Sequence, residues 1–248
     1  GTNLFKIMKK LSYMLVGLLL ICLSACTDNS YLNAIPGEST ALISMDPARM
    51  SGVNNVAVLK TLLYMTNTNK SGIDVSHRIF LFESPDGNLG LCAKVKDADE
   101  LNETFKGLAA KGLCPNPVKR RGFHFTVLKD TWVAGWSDQA FLVMGPVTAD
   151  AQAALQQQIS QYLKQDENEG IMSSRLYAKL DSIDAPMSMV GQAAALPEQF
   201  VAPFTLGAPK GADASQVLIA AEMNIKAQVM HINGETFSFN SRVNETLK

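Results

Sequence analysis

The chain has few of the residues on which metal, redox and covalent chemistry depend. Its 248 residues include four cysteines and three histidines. His77, His124 and His231 are isolated, because none has a second histidine, cysteine or carboxylate at a metal-binding spacing such as H-E-x-x-H. The sequence also contains no phosphate-binding loop, no S-x-x-K motif and no complete G-x-S-x-G nucleophile elbow. We therefore expect no metal ion, no cofactor and no enzymatic activity.

The chain also lacks a strong excess of charge of either sign. Without the three lysines among its first ten residues, it has 19 basic and 23 acidic residues and a net charge of −4. The densest basic run is Lys119-Arg120-Arg121, which we interpret as the solvated edge of a strand. Because nucleic-acid binding needs a large basic patch, this charge balance argues against nucleic acid as a partner.

No apolar run is long enough to cross a membrane, but a shorter one lies near the N-terminus. Residues 13–23 (YMLVGLLLICL) are eleven apolar residues, whereas a membrane-spanning helix needs about 20. They follow three lysines and end in Leu23-Ser24-Ala25-Cys26. A basic start, a short apolar core and small residues at the exit are the parts of a secretory signal peptide. The LSAC tetrapeptide also resembles the lipobox of bacterial lipoproteins, which implies that Cys26 is the lipid-bearing first residue of the mature chain.

The N-terminal region is therefore predicted to consist of a signal peptide (residues 1–25) and a lipidated tether (residues 26–34). Met8-Lys9-Lys10 is a typical signal start, so residues 1–7 are interpreted as upstream read-through. Several acyl chains would give a stable membrane anchor, since each buried CH₂ contributes about 0.8 kcal/mol. Thr27-Asp28-Asn29 is not the strongly charged tract associated with surface export. We therefore expect a lipid-anchored protein of the outer membrane on its periplasmic face, with the cell surface as the alternative.

Two cysteines, Cys92 and Cys114, remain in the body of the protein. An exported protein reaches a compartment in which disulfides form. A bond between Cys92 and Cys114 would close a loop of moderate length, and the alternative is two buried free thiols. The spacing alone does not decide between them, because a disulfide depends on three-dimensional geometry.

Apolar periodicity predicts strands that alternate with helices. Helices are predicted to begin at Asp46, Asp97 and Thr148, with a further short helix over residues 173–182. Hairpin turns are predicted at Asp86-Gly87 and Lys129-Asp130, between pairs of strands. The predicted strands are residues 41–45, 77–83, 89–95, 122–128, 131–136 and 139–144, followed in the last third of the chain by 186–191, 216–224 and 227–232. Helices alternating with hairpins indicate an α+β fold in which helices pack on a mainly antiparallel sheet.

An internal repeat is also predicted, at an offset of 142 residues. The sequence NETFK at residues 102–106 returns as NETLK at residues 244–248. We therefore expect two similar β-α-β-β-α units, the first over residues 35–182 and the second over residues 183–248. Because a helix does not usefully end in its first turn, the second unit is expected to be truncated. The alternative is a final strand after a turn at Asn233-Gly234.

Three stretches carry a resemblance to a known family. They are Tyr31-x-x-x-Ile35-Pro36, the ALISMD sequence at residues 41–46, and the hairpin containing Phe82-Glu83-Ser84, Asp86-Gly87 and Leu89-Gly90-Leu91-Cys92. They resemble a family of uncharacterised lipoproteins of gut Gram-negative anaerobes, labelled only as a domain of unknown function. The resemblance covers most of the mature chain, implies a longer native protein and supplies no catalytic or ligand residues.

Trp132 and Trp136 are four positions apart in a predicted strand and therefore share a face. With Phe123 and Phe125 on the neighbouring strand, they could form a platform for a sugar or peptide. We favour the alternative that these aromatics are core residues, since large aromatics are highly buried on average. The methionines of the Met187-Ser188-Met189 stretch are likewise interpreted as core residues.

Three functions follow from these observations. The preferred one is a non-catalytic lipoprotein of the cell envelope that binds or scaffolds a partner. The second is a lipoprotein that binds a glycan or peptide through the aromatic strand face. The third is an enzyme whose site lies in a missing C-terminal part. The expected partners are the membrane, through the lipid anchor, and an unknown protein, peptide or glycan.

Overall fold

The structure is a computed structural model that describes residues 29–50, 71–196, 214–226 and 229–247. Tyr31–Lys248 form one compact unit, distinct from Gly1–Ser30. The predicted signal peptide, Cys26 and most of the helix predicted after Asp46 lie outside the described residues. Within the described ranges, no helix is both long and apolar enough to cross a membrane.

Ten strands form one antiparallel sheet. Their order across the sheet is β10-β9-β8-β1-β2-β3-β7-β6-β5-β4, and each neighbouring pair is antiparallel. The strands are β1 (Ala41–Met45), β2 (Ile79–Glu83), β3 (Leu89–Lys94), β4 (Val118–Arg120), β5 (Phe123–Leu128), β6 (Trp132–Trp136), β7 (Ala140–Gly145), β8 (Met187–Gln192), β9 (Leu218–Lys226) and β10 (Val229–Phe237).

Polar side chains begin the helices by accepting hydrogen bonds from the first free backbone N–H groups. Asp97 accepts from Asp99 and Glu100, as expected of an N-cap residue. Ser174 does the same for the N–H of Tyr177. The described residues form four α-helices: α1 (Ala98–Ala110), α2 (Gln152–Leu163), α3 (Arg175–Asp181) and α4 (Ser241–Thr246). Short 3₁₀ turns lie at Ser30–Ala34, Pro47–Arg49, Ala149–Ala151, Ile171–Ser173, Ala193–Ala195 and Ala214–Gln216.

The sheet is buried on both faces, because successive residues of a strand point to opposite sides. We name each face after a helix that covers it. On the α2 face, the apolar side chains pack with α2, α3 and the turn Ser30–Ala34; they include Leu42, Phe80, Phe82, Leu142 and Val190. On the α1 face, the side chains pack with α1; they include Met45, Ile79, Leu91, Trp136 and Phe141.

The predicted α+β class with a mainly antiparallel sheet is confirmed. Two local predictions, about the burial of a strand and the cap of a helix, differ from the structure. Strand β3 is predicted to be half-buried, but residues 90–93 are all buried because elements pack on both of its faces. Thr148 makes no side-chain capping bond, since the turn Ala149–Ala151 precedes α2.

The strands of both predicted units join the same sheet, with β8 beside β1. A strand, a hairpin and a helix follow one another twice in the chain, first as β1, β2–β3 and α1, then as β8, β9–β10 and α4. This order agrees with the expected repeat, and the repeat itself stays a prediction.

Candidate functional site

Trp132 and Trp136, considered from the sequence as a possible ligand platform, lie on β6 and point together to the α1 face. Phe123 and Phe125, which would complete the platform, lie on β5 but belong to the α2 face. In the hairpin register, His124 lies opposite Trp136, and side chains of directly opposite residues share a face. These four aromatics therefore do not form one surface, which argues against the platform considered as the alternative to a core role.

The loop of this hairpin accounts for the difference. The sequence predicts a two-residue turn at Lys129-Asp130, but the loop also includes Thr131. Lys129 and Asp130 have φ angles of 50° and 58°, and the N–H of Thr131 donates to the oxygen of Leu128 at 3.2 Å. Because side chains alternate with a period of two, one extra loop residue moves a strand's side chains to the other face.

Trp136 is a core residue in this structure. Its side chain is fully buried, and its Nε1 donates a 2.8 Å hydrogen bond to Oδ1 of Asn102. Phe105 of α1 stacks on the indole with ring centroids 4.8 Å apart, and His124 stacks at 5.8 Å. Trp132 is half-buried against the same core. A glycan or peptide could reach Trp132, but Trp136 offers it no surface.

The surroundings of His124 lower the pKa of its imidazole and so favour the neutral form. Partial burial lowers the pKa of His124 from its usual 6.5, and the positive charge of Lys119 lowers it further. Asp138 and Asp99 raise the pKa without reversing this direction. A neutral imidazole stacks on the indole without bringing an unpaired charge to the buried ring.

Cys92 and Cys114 are free thiols that lie on opposite faces of the sheet. Cys92 is fully buried on the α2 face, where its Sγ donates to the backbone oxygen of Tyr31 at 3.5 Å. Cys114 packs against the α1-face core, with its Sγ 3.7 Å from the oxygen of Phe105. Burial raises the pKa of both thiols, which disfavours the reactive thiolate. The disulfide considered from the sequence is not formed, because the sheet separates the two side chains.

A polar cluster that the sequence analysis missed joins the loop before β2 to the end of β3. His77 Nδ1 is 3.2 Å from Oδ2 of Asp74, and His77 Nε2 is 3.4 Å from Nζ of Lys94. Ser76 donates to Asp74 through both its N–H and its hydroxyl. Partial burial raises the pKa of Asp74, but the bonds from Ser76 and His77 outweigh it and hold that pKa below its usual value.

This cluster orients the loop before β2. No short motif could have revealed it, because Lys94 is brought to His77 by the β2–β3 hairpin and not by sequence proximity. A carboxylate, an imidazole and an ammonium are the wrong set for a metal site, since the ammonium has no lone pair to donate. Among the described residues, no group of three or more His, Cys, Asp or Glu side chains could hold a metal ion.

The two edge strands of the sheet differ in length and in side chains. Strand β4 has three residues, all exposed, and two of them are Lys119 and Arg120. Strand β10 has nine residues and contains neither lysine nor proline. Short length, proline and charged side chains, lysine above all, are among the features that keep edge strands from pairing with other chains. The one acidic residue of β10, Glu235, already has Lys179 as its partner. The described residues therefore include one protected edge, β4, and one unprotected edge, β10.

Strand β10 is held at one end and exposed along most of its length. Residues 231–235 are exposed, and Val229 and Ile232 are 55% and 38% exposed. Near its end, Glu235 is 3.1 Å from Nζ of Lys179, and that ammonium lies 4.8 Å from the ring centroid of Phe237. Among the described strands, β9 pairs with one side of β10 and none pairs with the other.

No curated protein matches the chain. A solved structure described as "Structure of crystal form III of TP0453" is similar to it, with 8% sequence identity and a TM-score of 0.44. That likeness covers 87% of this chain and 97% of the other. A family model described as "Domain of unknown function (DUF4836)" matches residues 48–248. This match confirms the expected membership of an uncharacterised domain family, and the chain belongs to the DUF4836 family.

Proposed function

We propose that the chain is a non-catalytic lipoprotein of the cell envelope that pairs with a second copy of itself through β10. Cys26 carries the lipid, and the protein is anchored in the outer membrane on its periplasmic face. The lipobox-like LSAC sequence after a short apolar run supports the anchor. The unprotected nine-residue edge of β10 is the observation that carries the pairing.

An antiparallel pair of β10 strands is complementary when its twofold axis passes through Asn233. His231 then lies opposite Glu235 of the second copy, and Val229 lies opposite Phe237 of the second copy, each pair occurring twice. Whichever ring nitrogen of His231 carries a proton can donate it to the carboxylate. Favourable cross-strand pairs of these kinds each contribute about 0.2–1 kcal/mol.

Neighbouring registers are less complementary. An axis through Ile232 places Val229 opposite the carboxylate of Glu235, and an axis through Gly234 places His231 opposite Phe237. Only residues on the same face can be directly opposite in an antiparallel pair, so the axis must pass through a residue. The charge and shape pattern of β10 therefore selects Asn233.

The existing bond of Glu235 favours this arrangement. Lys179 donates to Oε1 of Glu235 at 3.1 Å, and an ionised carboxylate accepts hydrogen bonds at both oxygens. The carboxylate is thus held on the α2-face side of β10, where His231 of the second copy would reach it. Two anchored copies also share one membrane, which raises their effective concentration and lets a small contact form.

The anchor is tested by growing cells with an alkyne-tagged fatty acid that producing cells attach to lipoproteins. The full chain should carry the label, and Cys26→Ser should lose it while Cys114→Ser keeps it. Cys26→Ser should also leave the membrane fraction. Label that persists in Cys26→Ser would overturn the lipid assignment, and cleavage by protease added to intact cells would overturn the periplasmic face.

The pairing is tested with Asn233→Cys in the full chain, in a Cys114→Ser background. On the proposed axis the new cysteine faces its own copy, with Cα atoms about 4.5–5.5 Å apart, which suits a disulfide. Mild oxidation in membranes should give a covalent dimer. Lys119→Cys, on the protected β4 edge, is the matched control and should stay monomeric.

The same experiment distinguishes a second copy of this chain from other chains that could pair with β10. Equal dimer yields from Asn233→Cys and Lys119→Cys would overturn pairing through β10. If Asn233→Cys forms a disulfide with a different protein and gives no homodimer, the partner of β10 is a strand of that protein and not a second copy of this chain. Loss of the lipid label leaves the dimer readout intact, so the two parts of the proposal fail independently.

A further inference from the structure

Methionines occupy directly opposite positions in three neighbouring strands. Met45 of β1 lies opposite Met187 of β8, and Met187 lies opposite Met223 of β9. All three belong to the α1-face side of the sheet: Met45 lies in the core there, Met223 in the adjoining small core, and Met187 packs against both. We call Met45, Met187 and Met223 the methionine row. Neighbouring strands are about 4.7–4.9 Å apart, so three flexible thioethers can turn toward one point.

Two of the three methionines of the row lie at the ends of their strands. Met45 is the last residue of β1 and Met187 the first of β8, and the ladder continues for one bond, from the N–H of Asp46 to the oxygen of Pro186 at 2.8 Å. Met187, in the middle of the row, is partly exposed, while Met189 one step further in is 2% exposed. Met187 is therefore the member of the row that solvent reaches, whereas Met45 and Met223 are 9% and 4% exposed.

Chemistry decides which ligand such a row suits. Thioether sulfur is soft, polarizable and uncharged, and soft sulfur ligands select Cu(I) over hard cations. It also needs no deprotonation before it binds a metal, unlike cysteine or histidine. We propose that the methionine row binds one soft monovalent cation, Cu(I), through three thioethers.

A packing role alone is the competing explanation, since methionine also fills irregular gaps in cores. The two explanations differ in what the substitution Met→Leu does. Leucine has nearly the same volume as methionine and is well tolerated in a core, but it removes the sulfur. A packing role predicts no change in cation binding, whereas a ligand role predicts its loss in a folded protein.

The test measures Cu(I) binding by the full chain under anaerobic conditions, by competition with a chromophoric Cu(I) chelator. Cys114→Ser is the background throughout, so that the partly exposed thiol does not contribute. One ion should bind per chain, and Met187→Leu should weaken binding by roughly tenfold or more, about 1.4 kcal/mol or more. Met144→Leu is the matched control, because Met144 is fully buried on the α2 face, and it should bind like the parent.

Two further readouts keep the proposal distinct from adventitious binding. The affinity should be the same at pH 5 as at pH 7, because thioethers do not titrate, and the X-ray absorption of the bound copper should show only sulfur neighbours. Circular dichroism confirms that each variant is folded. Failure of the parent to compete with the chelator, equal binding by Met187→Leu, or nitrogen ligands in the absorption spectrum would each overturn the proposal.

Discussion

Strands β6 and β10 belong to one sheet but have opposite surroundings. Strand β6 lies between β5 and β7, and its side chains are covered by α1 on one face and α2 on the other. Strand β10 pairs with β9 alone among the described strands, and five of its consecutive residues are exposed. Aromatic residues made β6 the better binding candidate in the sequence. In the structure those residues are packed, and the edge for which we propose pairing belongs to the strand with fewer aromatics.

The largest expected effect is on β6. Trp136→Ala should lower the free energy of unfolding by about 3–5 kcal/mol, because it empties a fully buried site and leaves Asn102 without its partner. Trp132→Ala should cost clearly less, since Trp132 is only half-buried. Urea unfolding followed by circular dichroism measures both. Equal losses of stability would contradict the difference in burial between Trp136 and Trp132.

Gly135 offers the next largest test of how closely β6 is packed. A Cβ atom at this position would lie 2.7 Å from Cγ2 of Ile159 and 2.7 Å from the ring of Phe125. Gly135→Ala should therefore destabilise the protein by about 1–3 kcal/mol. Gly107→Ala is the control and should stabilise the protein. Gly107 lies on the exposed side of α1 with nothing within 4 Å of its Cβ position, and alanine in place of glycine favours a helix by about 1 kcal/mol. A stabilising Gly135→Ala would contradict the close packing.

His124 makes the β6 region sensitive to acid. Because its pKa is lowered in the folded protein from 6.5, the unfolded chain binds a proton first, and stability should fall as the pH drops below about 6.5. The fall should end once the folded protein is also protonated. His124→Gln should remove this component and leave the acid dependence due to Asp74, whose lowered pKa acts in the same direction. Identical pH profiles for the parent and His124→Gln would contradict the assignment.

The smallest expected effect on stability is on β10. Ile232→Lys should change the free energy of unfolding of the monomer by no more than about 0.5 kcal/mol, as is usual at exposed positions. The same change should abolish the disulfide dimer of Asn233→Cys, since a lysine on an edge strand opposes pairing. A large loss of monomer stability would show that Ile232 is a core residue. If the disulfide dimer still forms in the presence of Ile232→Lys, the contact between the two copies does not run along β10.

Local features of the fold could be predicted because they depend on residues close in sequence. Asp97 caps α1 through its own neighbours, and the β2–β3 and β5–β6 hairpins join adjacent strands. The start of α2 was missed because Thr148 bonds to Asp150 instead of capping the helix. The class α+β with an antiparallel sheet follows from this local pattern.

The candidate sites could not be predicted in the same way. Trp136 is buried beneath Asn102 and Phe105, which belong to a helix about thirty residues earlier in the chain. The polar cluster likewise depends on Lys94, which the β2–β3 hairpin brings to His77. The methionine row depends on the contact of β1 with β8, strands that are separated by most of the chain. None of these contacts can be predicted from a short stretch of sequence.

The sequence by itself determined the alternation of helices and hairpins, the Asp97 cap of α1 and the lipobox-like segment that ends at Cys26. The tertiary structure alone decided which strands are neighbours, which face each aromatic side chain takes and which edge remains open. The physical reason is that hydrogen bonds between strands join residues far apart, and one extra loop residue, Thr131, exchanges the two faces of a strand. Local propensity forms a strand, but its partners decide whether its side chains become core or surface.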